Sequence, residues 1–225
     1  MLTWNLNNRR QVSTDQADLV IHREPDIVVL TEVHPSRIDL WRAALKGYDL
    51  AETTSISPRP RTILLAAKGG KLCSRTPIQG HVIRAEVDRL TFIATHVPNA
   101  SNHGPLRKMR VLRYLARQQG DPIILAGDFN CPKFELPDGA IVGWGGPEQR
   151  KVEENLFKRF NDAFRQLHGY PREEWSWIAR NGQWRRFDHV LYRGLRPSFA
   201  AYLDHQALSD HRALEVHFTD DVQPD

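Results

Sequence analysis

The stretch "IILAGDFNCP", Ile123–Pro132, decides how the chain is read. The apolar run Ile123-Ile124-Leu125-Ala126 reads as a buried strand. It is followed by two polar side chains, Asp128 and Asn130, one residue apart. Side chains alternate along a strand, so positions two apart share a face. If the extended geometry persists to its end, Asp128 and Asn130 reach into the same volume. Burying either without a partner costs several kcal/mol, so the pair asks for a reason.

Outward from this strand, the same oddity recurs. Asn5 and Asn7 sit beside the first apolar segment, and "IVVLTEV" ends in Glu32. "FIATHVPN" ends in His96 and Asn99, Asp188 lies inside "FDHVLY", and Asp210 and His211 precede "ALEVHF". One such residue is usually a cap, a turn or a satisfied core hydrogen bond. The recurrence at one strand end after another predicts a cluster of carboxylates, amides and imidazoles. Carboxylate and amide oxygens without thiolates are hard ligands that suit Mg²⁺ or Mn²⁺. Imidazoles beside them suit proton transfer or contact with phosphate.

The remaining pattern predicts a mixed α/β chain. Strands are expected at 26–33, 62–67, 90–97, 122–129, 187–192 and 213–218, all short and rich in β-branched or aromatic residues. Helices are expected around 13–24, 36–46, 105–119 and 148–168, the first with a capping box, Ser13-x-x-Gln16. The third carries an apolar stripe of Leu106, Met109, Leu112 and Leu115. No repeat, low-complexity tract or linker interrupts the sequence, which predicts a single domain over residues 1–225.

Composition narrows the class. With 40% hydrophobic residues in 225, a sizeable core is available. No apolar run reaches the ~18 residues of a membrane helix, and the N-terminus lacks a signal-peptide pattern. Cys73 and Cys131 are far apart, which excludes a cysteine zinc site and suits a reducing cytoplasm. The formal net charge is +4. No acid occurs from Arg89 through Gly120, where Arg107, Lys108, Arg110, Arg113 and Arg117 gather. This segment reads either as a solvated helix face or as a track for a polyanion.

"TWNLN", "VVLTEV", "ATHVPN", "LAGDFN", "RRFDHVLY" and "LSDHRAL", in this order, resemble the endonuclease/exonuclease/phosphatase superfamily. The resemblance covers almost the whole chain. It implies a four-layer α/β sandwich, two packed, mostly antiparallel mixed sheets flanked by helices, with the site where strand ends and loops converge. Carried over residue by residue, it implies Glu32 and Asp210 as metal ligands, supported by Asn5 and Asn7. Asp128 and Asn130 would position the attacking water and the phosphate, with Asp128 as base or further metal contact. Asp188 would orient His211 and keep it protonated against the scissile phosphate, and Asn99 would bind phosphate too. His96 stands where DNase I-like members have a His paired with a Glu. Here the comparable region offers Arg59 and Arg61, so His96 reads as a phosphate contact rather than a general acid.

The function implied is a Mg²⁺- or Mn²⁺-dependent phosphodiesterase acting on nucleic acid, DNA before RNA, as a cytoplasmic monomer without membrane attachment. Arg107 and Arg186 would contact the backbone, with Arg185 a weaker candidate. Trp184 would stack on bases, with Trp144, Trp175 and Trp177 as further candidates. Two alternatives stand beside it. One is hydrolysis of a small or lipid-linked phosphate; the other is a partner-binding scaffold with no activity, which need not keep Glu32, Asp128, Asn130, Asp188, Asp210 and His211.

Overall fold

A computed structural model describes all residues except 56–59, 70–71, 100–103, 132–133, 136–140, 143–145, 171–173, 180–181, 205–206 and 220–225. Trp144 and Arg59 lie outside the described residues.

Alternation along the strands builds the layers. Strand β8 (Ile123–Asp128) sends Ile124 and Ala126 to one face and Ile123 and Leu125 to the other. The first pair joins an interior shared by two six-stranded sheets. One sheet runs β15 (Arg196–Leu203), β16 (Ala213–Thr219), β1 (Leu2–Asn5), β2 (Ile27–Val33), β4 (Thr62–Lys68), β3 (Tyr48–Thr54). The other runs β11 (Asn161–Asp162), β14 (Asp188–Arg193), β8, β7 (Leu90–His96), β6 (Val82–Val87), β5 (Cys73–Ile78). Val29, Leu65, Phe92, Val190, Leu214 and Val216 meet between them.

The outer faces take helices. Leu2, Trp4, Val28 and Leu30 pack with Val20 of α1 (Ser13–His22) and Trp41 of α2 (Ile38–Ala44). Ile123, Leu125 and Leu191 pack with Val111, Leu112 and Leu115 of α3 (Pro105–Ala116) and Leu156 of α4 (Pro147–Arg159). This is the expected four-layer sandwich. Strands β1–β2 and β7–β8 are parallel, and the other pairs in the two sheets are antiparallel. Two-stranded ribbons, β9 (Phe134–Glu135) with β10 (Ile141–Val142) and β12 (Trp177–Ile178) with β13 (Trp184–Arg185), are the smaller pairings.

Local expectations are corrected at several points. The helix expected over 148–168 is two, because Phe160 is extended (ψ 144°) and Asn161–Asp162 pair with β14 before α5 (Ala163–His168) begins. Asp162 then caps α5, accepting from the Arg165 N–H at 3.2 Å. The capping box at Ser13 is absent. Ser13 is the first helical residue, and its hydroxyl donates back to the carbonyls of Arg9 and Arg10. Gln16 donates instead to the Leu208 carbonyl at 2.8 Å. Strands β3, β5, β6 and β15 are not expected from the sequence; three of them are edge or partly exposed strands whose polar residues dilute the apolar signal.

Candidate active site

The site is the continuation of the inter-sheet interior at one edge of the sandwich. Asp128 shares its face with Ile124 and Ala126, and Asp188 shares one with Val190 and Tyr192. His96 follows Phe92 and Ala94 in the same way. Asn5 lies opposite in parity to Leu2 and Trp4, which pack outward. Where alternating apolar residues fill the interior, these polar ones end it. Register sets them side by side: Asp188 and His96 are both cross-strand partners of Asp128.

Glu32 gets there differently. By alternation it belongs with Val28 and Leu30 on the outer face. The pairing of β2 with β4 shifts register between Leu30 and Val33, and Glu32 takes a left-handed φ of 53°. This irregularity re-aims its carboxylate toward His96, whose Nε2 lies 3.4 Å from Oε1.

Asp128 and Asn130 meet, but not by strand alternation. The strand ends at Asp128, and Asn130 has φ 46°. The Asn130 backbone N–H donates to Asp128 Oδ1 at 2.8 Å, and its Nδ2 donates to Asp128 Oδ2 at 3.1 Å and to the Val97 carbonyl at 2.9 Å. Asn5 Nδ2 also donates to Asp128 Oδ2, at 2.8 Å, tying one sheet to the other. Gly127, just before, admits no side chain: a Cβ there would stand 1.9 Å from the Thr95 carbonyl oxygen.

His211 comes from the turn before β16. Its Nδ1 donates to Asp188 Oδ2 at 2.7 Å. Ser209 Oγ accepts from the His211 N–H at 3.1 Å and donates to the Asn5 carbonyl at 2.7 Å. Ser176 Oγ accepts from the Asp188 N–H at 3.0 Å. These two serines fix the backbones of the Asp–His pair; Ser209 stands in the "LSDHRAL" block, where the sequence alone assigns it no role.

Charge is concentrated here. Burial, then the Asp188 carboxylate opposite it, raises the pKa of Asp128 to about 6. Burial opposes ionisation of Glu32 too, but His96 and Arg61 outweigh it and hold its pKa at about 2. Burial likewise works against a charged His211, and Asp188 more than compensates, lifting it to about 10. His211 is therefore an imidazolium at neutral pH.

Other expected residues stand elsewhere. Arg186 does not face the site. It is 2% exposed and holds Asp162 at 2.8 Å, with His189 Nδ1 2.9 Å from the same oxygen. Its side chain is committed to a core ion pair, because it projects toward β11 and α5. Lys108 is buried too, unlike its basic neighbours. Its Nζ lies 3.1 Å from Glu153 of α4 and donates to the Asn130 carbonyl at 2.7 Å. Asn7 takes φ 52° and uses its backbone N–H on Asn5 Oδ1 at 2.9 Å. Asn99, Arg107 and Trp184 are exposed. Trp177 donates to Asp210 Oδ2 at 3.2 Å and packs on Phe187, while Arg212 lies over Trp175. Arg185 turns back to the Trp184 carbonyl at 2.6 Å. Arg61, one of two arginines noted in the sequence, is ion-paired with Glu32 Oε1.

The donor set fits a hard divalent cation. Ligand atoms of Glu32, His96 and Asp128 lie within 4.8 Å of one another; those of Asp128, Asp188 and His211 do so too, but the protonated His211 has no lone pair for a cation, so that group offers its carboxylates. Asp188 Oδ1 and Asp210 Oδ1 are buried without a hydrogen-bond partner among the described residues, as acceptors reserved for a ligand would be. Asp210 itself falls in neither cluster.

Two sheets closed over a shared interior that ends in such a cluster define a DNase I-like sandwich. A profile of the Endonuclease/Exonuclease/phosphatase family matches residues 2–211, and the chain belongs to that family. An exodeoxyribonuclease of Streptococcus pneumoniae (serotype 4, strain TIGR4) is 23% identical over 186 residues, 74% of this chain and 66% of that protein. The chain thus spans just under two thirds of that relative's length. Among solved structures, an AP endonuclease from Archaeoglobus fulgidus superposes with a TM-score of 0.73 at 19% identity, covering 96% of this chain and 98% of the other. A 3′ phosphatase, NExo, from Neisseria, bound to product DNA hairpin, gives 0.75 at 19% identity, covering 97% and 98%.

Proposed function

We propose that the protein is a divalent-metal-dependent phosphodiesterase that hydrolyses nucleic acid, DNA before RNA. The observation that carries this reading is the buried Asp188–His211 bond, 2.7 Å long, facing Asp128 at the open end of the sandwich. In this reading His211, held protonated by Asp188, donates from Nε2 to an oxygen of the scissile phosphate. Asp128 takes a proton from the attacking water, and Asn5 and Asn130 hold its carboxylate in place. Asn99 orients the phosphate, while Asn130, whose two Nδ2 hydrogens go to Asp128 and the Val97 carbonyl, acts by fixing Asp128. Glu32, Asp210 and Asp128 are the proposed ligands of Mg²⁺ or Mn²⁺, supported by Asn5, and His96 lies between Glu32 and Asp128 as a phosphate contact or acid. The cation would supply electrostatic stabilisation of the charge that builds on the phosphate. Trp184, 44% exposed, is available for stacking on a base.

Single-stranded, duplex and abasic DNA, RNA and a phosphoinositide, each with Mg²⁺, Mn²⁺ or EDTA, test the reading. Cleavage of a nucleic acid that EDTA abolishes is expected. Full activity in EDTA removes the metal from the mechanism, and turnover of the phosphoinositide alone moves the chain to small or lipid-linked phosphates.

The exposed arginines of α3 are proposed to track the substrate backbone. Arg107, Arg110 and Arg117 face solvent, while Arg113 pairs with Glu148. Changing these three to Gln is expected to flatten the salt dependence of DNA binding, by about 1 in log–log slope for each phosphate no longer neutralised. The value of kcat should stay nearly unchanged. An unchanged slope takes α3 off the binding surface. No described helix is long and apolar enough to cross a membrane. Cys73 and Cys131 are unpaired, which supports a proposed cytoplasmic setting. We propose a monomer, since each proposed role is filled from one chain.

A further inference from the structure

Arg61 is a cation at the site, paired with Glu32, that the proposed chemistry leaves unused. We infer that Arg61 is a phosphate-binding residue of this site, whose guanidinium exchanges between the Glu32 carboxylate and an oxygen of the substrate phosphate. The inference rests on the phosphate-hydrolysing reading above and deepens it.

The base of the side chain is fixed. The Ser55 N–H donates to the Arg61 carbonyl at 2.9 Å, and the Arg61 N–H donates to Ser55 Oγ at 3.1 Å, closing a neck ahead of β4. Thr54 and Thr62 join hydroxyls across it at 2.8 Å. Ser55 sits so tightly on Gly80 that a Cβ at Gly80 would stand 2.3 Å from the Ser55 Cα. The Gly80 N–H donates to Thr53 Oγ1 at 2.8 Å, and Gln79 Nε2 donates to the Thr54 carbonyl at 3.1 Å. The neck is thereby bolted to the turn between β5 and β6, in the opposite sheet. Such a clamp holds the Cα in place and leaves the long side chain to choose its partner.

The tip is only partly committed. A guanidinium has five N–H donors in a planar fork. Among the described residues, the hydrogen bond made by this side chain is the one from Nη1 to Glu32 Oε1. The Arg61 side chain keeps 28% exposure against 10% for Glu32, so a ligand arriving from solvent meets the arginine before the carboxylate. A chain of neighbours runs from Arg61 through Glu32, His96, Asp128 and Asp188 to His211. Arg61 and His211 are the cations at its two ends. A phosphate drawn to the cluster meets a positive charge on either side.

A purely structural counter-ion is the rival. It explains the Glu32 contact but gives no task to the remaining N–H donors of the fork, for which no further hydrogen bond is made among the described residues. It also competes with any cation that Glu32 binds. Exchange onto phosphate resolves that conflict: as Glu32 turns to a cation, the freed fork meets a phosphate oxygen with charge-assisted, bidentate geometry.

Arg61→Met and Arg61→Lys, made in the full chain and checked for unchanged Tm, separate the two. Three readouts are compared with wild type: Mn²⁺ affinity by calorimetry, inorganic phosphate affinity of the Mn²⁺-loaded protein, and kcat and KM on a short labelled duplex DNA. Arg61→Met is expected to bind Mn²⁺ at least as tightly, to bind phosphate roughly 10–100-fold more weakly, and to raise KM by a similar factor. Arg61→Lys is expected to recover part of the phosphate affinity, and it carries the test if Arg61→Met is less stable. Unchanged phosphate affinity overturns the inference, and so does Mn²⁺ affinity lost in step with activity. If wild type leaves DNA intact, the nuclease reading fails, and the phosphate and Mn²⁺ titrations still decide the role of Arg61.

Discussion

His211→Ala is expected to lower kcat/KM on the best nucleic-acid substrate by about 10³-fold, and Asp188→Asn by a comparable factor. The double variant is expected to lose little more than either alone. The reason is the 2.7 Å bond between Nδ1 and Oδ2, buried at the end of two strands. Asp188 is the largest of the groups that lift the His211 pKa to about 10 against the opposing effect of burial, so removing the carboxylate takes away both the ring's anchor and the main support of its charge. Groups that act as a unit give non-additive losses. Single-turnover rates for the two single variants and the double variant measure this. Multiplied losses in the double variant show that the two side chains work independently, with Asp188 serving through its other oxygen.

The second large effect is on stability. Asp162→Asn is expected to destabilise the fold by about 3–5 kcal/mol, a fall in Tm of roughly 10 °C for a chain of this size. The carboxylate holds the Arg186 guanidinium, which is 2% exposed, and lies 2.9 Å from His189 Nδ1. Asparagine keeps the shape and leaves a buried cation without its counter-charge. The effect has a pH signature. Burial alone would raise the pKa of Asp162, but Arg186 and His189 hold it well below the usual carboxylate value of 3.8. Its contribution is complete above the unfolded-state pKa and is lost as pH falls toward the folded one. The Tm gap between wild type and variant should therefore be full at neutral pH and narrow below about pH 4. A gap of equal size at pH 7 and well below 4 assigns the loss to packing or hydrogen bonding instead.

Legibility in the sequence follows burial. Runs such as "IILA" and "IVVL" announce central strands because both faces are covered, one by helices and one by the other sheet. Strands β3 and β5 escape because they are sheet edges, and "YDLAETT" and "CSRTPI" read as loops. Asp128, Asp188 and His96 are legible as polar residues where apolar alternation stops. Glu32 is found by its motif, although its bulge breaks the parity a strict strand would impose. Buried cations are not legible. Lys108 stands in a basic helix, and nothing local shows that Glu153, on another helix, neutralises it. Arg186 pairs with a residue 24 positions earlier. Such partners are set by tertiary packing, which a local pattern does not carry.

The first strand is wedged between β16 and β2, near the middle of its sheet. Its contacts are distant in sequence: Leu2 pairs with Glu215, and the Asn5 carbonyl accepts from Ser209. His211 arrives with the same late segment. A chain cut ahead of Ser209 would keep Asn5, Glu32, His96, Asp128 and Asp188 but lack both the strand between β15 and β1 and the imidazolium opposite Asp128. The two ends of this sheet and the two halves of the site therefore close through the same late segment, so that loss of residues 209–219 is expected to open the fold and disable the site together.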